Sequence, residues 1–520
     1  MGQAASLITR RSALLAGAAA LAGCGPPHGI AGDFAGAGFA RGHLLREARA
    51  WPAPAVTRRT QVVIAGGGIA GLAAARALRQ RRIEDFAVLD LEDTAGGNSR
   101  GGELAGIACP LGAHYLPVPG DAAREVQDLL QELGLRRRVH GRWQYDERTL
   151  CHAPQERLYI EGGWQEGLLP VAGIGATTRA QYLRFGEEVE AARRSGAFRI
   201  PLRSPRQLAP WDGQTFAAWL EGRGFTDARL RWYLDYCCRD DYGAGLATVS
   251  AAAGLHYFAA RHGFRAPDAD APAETEGVLT WPEGNAFLAR ALAAPLGERF
   301  GPGRVVLRIA QQRHGVEVDV WDVQRAHVER WQAAQCIVAL PVLVAARVIE
   351  AAPRPLLERA RGLRQAPWIV ANLHLRQPPS EPHGAPLSWD NVVYGADSLG
   401  YVVATHQSLN PVPGPTVLTW YCAPGEAARG DVLQRPWSHW RDRIVQELSV
   451  PHRDLARQLT RIEVTRHGHA MPIPTPGVLS RLPGPPATSR LRFAHGDWAG
   501  YSVFEEAFTL GHRAGRDAPR

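Results

Sequence analysis

Three groups of residues in this chain have the types and spacing to do chemistry. The first is Gly66-Gly67-Gly68-Ile69-Ala70-Gly71 with an acid further on at Asp90, the arrangement of a dinucleotide cradle. In that arrangement Gly66 allows a tight turn, Gly68 lets the backbone approach a pyrophosphate, and Gly71 lets a helix pack close on a strand. The N-terminus of the helix that follows presents free N–H groups and a positive dipole end to the phosphates. Asp90 is placed to accept from ribose hydroxyls. The second group lies near the other end: His467-Gly468-His469, then Gly496-Asp497 and Trp498. The ordinary pKa of histidine suits proton transfer near neutrality, so His469 is a candidate acid–base. The third consists of Arg239-Asp240-Asp241-Tyr242 and Trp389-Asp390-Asn391. Carboxylates among aromatic rings suit a cationic substrate; capping of helices and turns is the alternative.

These residues need elements to hold them. Residues 61–65 form an apolar strand, 72–82 an Ala- and Leu-rich helix, and 86–90 a second strand ending in Asp90. GxGxxG alone is weak in a chain with 56 glycines; its place between a strand and a helix makes it specific. Later strands are expected at 304–309, 316–320, 337–341, 369–373, 391–394, 401–404, 417–422 and 491–497. Residues 121–133 pattern as an amphipathic helix, 140–170 as aromatic hairpins, and 212–265 as mostly helix.

Beyond Asp90 the chain reads Gly96-Gly97-Asn98-Ser99-Arg100, and its last strand runs into Gly496-Asp497-Trp498-Ala499-Gly500-Tyr501 before a helix. The doublet resembles the one that follows the ribose-binding acid in flavin-containing amine oxidoreductases. The late motif resembles that superfamily's last motif, and its Trp-x-Gly-Tyr spacing is similar to that of monoamine oxidases. The resemblance covers about residues 60–515. It implies an α/β fold: a Rossmann-like FAD-binding domain interleaved with an α+β substrate domain. It implies FAD as cofactor, held by Gly66, Gly68, Ile69, Ala70, Gly71, Asp90, Gly96, Gly97, Asn98, Arg100, Gly112, Ala113, His114, Val306, Gly496, Asp497, Ser502 and Val503. It also puts Tyr501 in an aromatic cage before the flavin, with Trp498 beside it, and His114 in the segment passing the ring. Catalysis is accordingly expected from Tyr501, His469, His114 and Trp498. The expected organisation is a signal over 1–24, a tether over 25–59, FAD-binding parts over 60–120, 276–350 and 466–515, a cap over 121–275 and a substrate-domain sheet over 351–465.

Composition removes other classes. The 59 basic residues against 51 acidic ones are all arginine, so no Schiff-base or P-loop lysine exists. Many amine oxidases hold a water at the flavin with a lysine; its absence favours an electron acceptor other than oxygen. The arginines are dispersed, and the Arg136–Arg138 run reads as a solvated helix end and not a nucleic-acid site. No CxxC or HExxH occurs, so no metal is expected. Arg10-Arg11 with an apolar stretch ending Leu21-Ala22-Gly23-Cys24 resembles a twin-arginine signal with a lipobox. That implies export and a membrane anchor through acylated Cys24. The expected function is hydride transfer from a carbon next to nitrogen in an amine or polyamine. The alternatives are a desaturase-like dehydrogenase of a lipid or isoprenoid, and a non-catalytic flavin-binding lipoprotein. The partners are a small-molecule substrate and an unidentified acceptor.

Overall fold

A computed structural model describes residues 29–36, 38–47, 50–267, 277–380, 384–409, 414–486 and 488–519. The twin-arginine stretch and Cys24 lie outside the described residues. Among the described residues no helix is long and apolar enough to cross a membrane.

The labelled elements, in chain order, are β1 (Ala31–Phe34), α1 (Phe39–His43), β2 (Val56–Ala65), α2 (Ile69–Gln80), β3 (Phe86–Leu89), β4 (Glu156–Ile160), α3 (Ala228–Tyr242), β5 (Arg304–Gln311), β6 (Val316–Asp322) and β7 (His327–Val338). There follow α4 (Arg354–Gly362), β8 (Arg364–Leu375), β9 (Asp390–Val393), β10 (Tyr401–Val403), β11 (Thr416–Cys422), β12 (Leu459–Ile473), β13 (Leu491–Phe493) and α5 (Phe504–Arg516).

Two sheets organise them. The first places a short strand at Phe300–Gly301 beside β3, then β2, β7, β6 and β5, with β13 joining β7. β3, β2, β7 and β13 run parallel, so their carboxyl ends leave one edge together. Parallel strands here are apolar throughout: Val62, Val63, Ile64, Ile337 and Val338 are fully buried, as sheets covered on both faces require. The second sheet has the order β1, β12, β8, β11, β10, β9, β4 and the strand Gly163–Glu166. One face packs on α3 and its neighbouring helices, the other on the helix Trp437–Leu448.

The interleaved two-sheet architecture agrees with the expected fold class, with local corrections. The expected tether over 25–59 is partly built in: β1 pairs with β12, α1 follows, and β2 starts at Val56. Ile30 is buried in the substrate-side core, which holds a Gly- and Ala-rich stretch that composition alone reads as loose. The boundary at 465/466 falls inside β12, whose ladder with β8 runs unbroken in direction from Leu459 to Ile473. Helix α4 was assigned to the substrate sheet, but Leu356 packs in the nucleotide-side core. The arginine run is not a helix end: Arg136–Val139 is a strand, and Arg136 lies 3.8 Å from the centre of the Trp143 ring.

Candidate active site

The strand ends on the shared edge carry the cradle. Gly66 leaves β2 at φ +107°, a conformation that favours glycine, and a side chain there would strike the Ala339 carbonyl. A Cβ at Gly71 would strike the Gly66 carbonyl, so α2 can approach its own turn only because this residue is glycine. Asp90 is buried; its Oδ2 accepts from the Gly67 N–H at 2.5 Å and its Oδ1 from the Glu92 N–H at 2.8 Å. Burial raises its pKa against those two hydrogen bonds.

The glycine doublet comes back onto this turn. Gly96 bridges Gly68, its N–H donates to the Gly67 carbonyl at 2.8 Å, and Gly97 stands against Gly68 with nothing else near either position. Asn98 accepts from the Ala113 N–H at 2.8 Å through its carbonyl, and its amide donates to the Ala470 carbonyl at 2.7 Å. Gly112 lies against that same Asn98 carbonyl. Val306 is buried at a bulge in β5, which leaves backbone unpaired near the strand carrying Asp90.

The late motif emerges from the same edge. The Ala494 N–H donates to Val338 at 2.9 Å, and the Ala339 N–H to Ala65 at 2.8 Å, so three strand ends sit side by side. Asp497 is buried, and burial opposes its charge. His495, the Val342 N–H at 2.8 Å and Gln365 outweigh burial and hold the carboxyl below its usual range. Ser502 and Val503 lead into α5 and stay partly open. Half-buried Gly68 and Gly97 at a helix N-terminus, with the buried acid beside them, fit a dinucleotide with its pyrophosphate on Ile69 and Ala70.

Arg359 of α4 was missed by sequence reasoning. It is 2% exposed and donates to the carbonyls of Asp497 at 2.9 Å and Trp498 at 2.8 Å, and also to Leu482 and Pro483. Burial pulls its pKa down to about 10. A buried arginine on four carbonyls fixes the shape of the late motif. An arginine in a charged helix gives no local signal of this.

Two of the expected catalytic residues are packed. Tyr501 is 1% exposed; its hydroxyl donates to Glu506 Oε1 at 2.5 Å and its ring meets His256 edge-on at 5.0 Å. Trp498 is buried against Phe493, in the nucleotide-side core. His469 is exposed beside Arg46, 3.5 Å from its Nδ1, and burial with Arg429 and Arg46 lowers its pKa to about 4. Burial lowers His114 to about 3. The expectation of a histidine titrating near neutrality therefore does not hold for His469.

His114 nonetheless lies in the centre of the site. It stacks on Tyr421 at 4.5 Å and approaches Trp389 at 5.4 Å. Its segment is fixed by Thr280 Oγ1 on the His114 carbonyl at 2.9 Å and the Asn285 amide on the Tyr115 carbonyl at 2.8 Å. The Tyr115 hydroxyl steadies the charge of Asp240 from α3.

Asp240 has company. Glu156 and Asp390 are register partners on β4 and β9, so both point to the same face of the second sheet. Burial, reinforced by Asp241 and Glu156, pushes Asp240 up to about 7, and burial pushes Asp241 to about 6. Burial, with Glu156 and Asp240, raises Asp390 far above its usual range; Glu156 is raised by burial. All four keep solvent-accessible surface, so they line a recess rather than a sealed core. The aromatic walls include Tyr115, Trp389 and Tyr421. The two clusters noted in the sequence are thus brought together, and Glu156 joins them unforeseen.

One further group, Asp322, His327 and Glu329, is close enough to share a cation, but Arg58, Arg304 and Arg325 already pair with its carboxylates. The six described cysteines are buried and unbonded to one another.

The family model described as flavin containing amine oxidoreductase matches residues 69–518. No curated protein matches the chain. Among solved structures, putrescine oxidase bound to putrescine is 18% identical, with TM-score 0.68, covering 89% of this chain and 99% of that one. Cyclohexylamine oxidase from Brevibacterium oxydans IH-35A is 17% identical, with TM-score 0.64 and coverage of 88% and 98%. A fatty acid isomerase from P. acnes is 14% identical, with TM-score 0.56 and coverage of 87% and 97%. At these identities the structures share the fold.

Proposed function

The chain belongs to the flavin-containing amine oxidoreductase family, and on that premise we propose that this FAD-dependent oxidoreductase acts on a cationic amine. When bound, FAD supplies an acceptor for a hydride from the carbon next to nitrogen. The chain's own residues do the rest. Ile69, Ala70 and the glycines of the cradle receive the pyrophosphate, and Asp90 the ribose. His114, Tyr421 and Trp389 form an aromatic wall that excludes water and attracts a cation through the ring faces. The observation that carries the reading is the recess holding Glu156, Asp390 and Asp240. Carboxylates crowded in one recess gain when an ammonium group enters and lets them ionise.

The same recess disfavours a fatty acid as substrate, since its carboxylate would face three acids; an isoprenoid is left to the test. The test is an anaerobic screen watching flavin absorbance. Bleaching by an amine or polyamine is expected; bleaching by unsaturated lipids and no amine would overturn the assignment. Slow reoxidation in air is expected, because no lysine is present to hold a water at the flavin.

We also place the mature protein outside the cytoplasm, anchored by lipid on Cys24. Arg10-Arg11 and the Leu21–Cys24 stretch support this. Mass spectrometry of the mature N-terminus checks it: an unmodified Met1 start ends the idea.

A further inference from the structure

The N-terminal stretch touches both halves of the protein at the mouth of the cofactor cradle. On the substrate side, β1 runs parallel to β12 from Ala31 opposite Arg461 to Phe34 opposite Val464. Arg466 of β12 lies 3.6 Å from the Phe34 ring centre and 4.5 Å from that of Phe39. On the nucleotide side, the Gly38 N–H donates to both Glu92 oxygens, at 2.8 and 3.0 Å. Arg41 donates to the Leu91 carbonyl at 3.0 Å and to Asp93 at 2.8 Å.

One buried side chain joins this stretch to the cradle. Arg100 donates to the Gly36 carbonyl at 2.7 Å, to the Gly97 carbonyl at 3.1 Å, and pairs with Glu92 at 3.0 Å. Gly97 is the residue that stands against Gly68. The loop 91–100 is therefore held in place by contacts from the N-terminal stretch on its outer side and meets the cradle on its inner side.

We propose that residues 30–36 and 38–47 form a clasp that retains FAD. They hold the loop 91–100 against the cradle and tie it to β12. Arg100 is the positioning residue that transmits the contact. When the clasp is displaced, Arg100 loses the Gly36 carbonyl and Glu92 loses the Gly38 N–H, and the glycine doublet is freed to move off Gly68. The clasp thus acts on the lifetime of the bound cofactor rather than on the reaction.

The test is flavin release from the full-length holoprotein, followed as the rise in flavin fluorescence after dilution. Phe34→Ala combined with Arg41→Ala is expected to release FAD about tenfold faster than the unsubstituted chain. Arg354→Ala, on an exposed ion pair with Glu358, is expected to release it at the unsubstituted rate. An unchanged rate in the double variant overturns the proposal. A second measurement needs no variant: with no lysine present, trypsin cuts at arginine, and FAD is expected to slow cleavage at Arg41 and Arg46. Cleavage at equal rates with and without FAD also overturns it.

Discussion

Asp390 and Glu156 occupy paired positions on two neighbouring parallel strands and project from the same face of the sheet. Like charges so placed destabilise a sheet. Asp390→Asn is expected to raise stability by about 0.5–1 kcal/mol at alkaline pH and to raise KM for the amine substrate about tenfold. Urea unfolding and steady-state kinetics measure the two effects. A stability gain without any change in KM would remove the carboxylate from substrate binding.

The recess also sets a pH dependence. Asp240 and Asp241 titrate at about 7 and about 6 in the folded chain, above the unfolded value of ~3.9. Between these limits the folded chain binds more protons than the unfolded one, so stability falls as pH rises from ~4 toward 7. Apparent affinity for a cationic amine runs the other way and tightens over the upper part of that range, as the carboxyls ionise. Parallel pH profiles of Tm and KM check the signs. An Asp240→Asn variant is expected to flatten the part that ends near 7.

Tyr501 separates packing from chemistry. Tyr501→Phe removes the donor to Glu506, whose own carboxyl is pushed up to about 7 by burial. The expected loss is about 1–2 kcal/mol of stability with kcat little changed. Denaturant titration beside single-turnover flavin reduction distinguishes the two; a large fall in the reduction rate with normal stability would restore Tyr501 to the site.

Arg359→Met leaves four carbonyls without their donor. A loss of about 3 kcal/mol is expected, together with reduced flavin content in purified protein. Arg359→Lys keeps a cation with fewer, unforked donors and is expected to recover part of both. Equal flavin content in all three chains would show that the late motif keeps its shape unaided.

What could be read from the sequence was local. Strand, glycine turn, helix and acid follow one another within about thirty residues, and each has its own periodicity or backbone requirement, so the cradle was legible. The glycine doublet and Gly496-Asp497 added a family pattern. The acid recess was legible only as two separate clusters, because the pairing of Asp390 with Glu156 depends on register between strands more than two hundred residues apart. The packing of Tyr501 on Glu506 and His256 was hidden for a related reason: a spacing says which residues are near in the chain, not which way a turn aims a ring. His469 reads as an ordinary titrating histidine because its surroundings are invisible in one sequence. The clasp was hidden by composition, since Gly, Ala and Arg carry little strand signal of their own.

The end of β7, Cys336–Val338, lies between β2 on one side and β13 on the other. During synthesis, the first glycine motif therefore waits for partners made hundreds of residues later. The nucleotide half cannot close before they emerge, and contacts so distant in sequence form slowly. Loss of residues 491–519 would take away a wall of the pocket and not a tail, leaving an otherwise long polypeptide with an open flank.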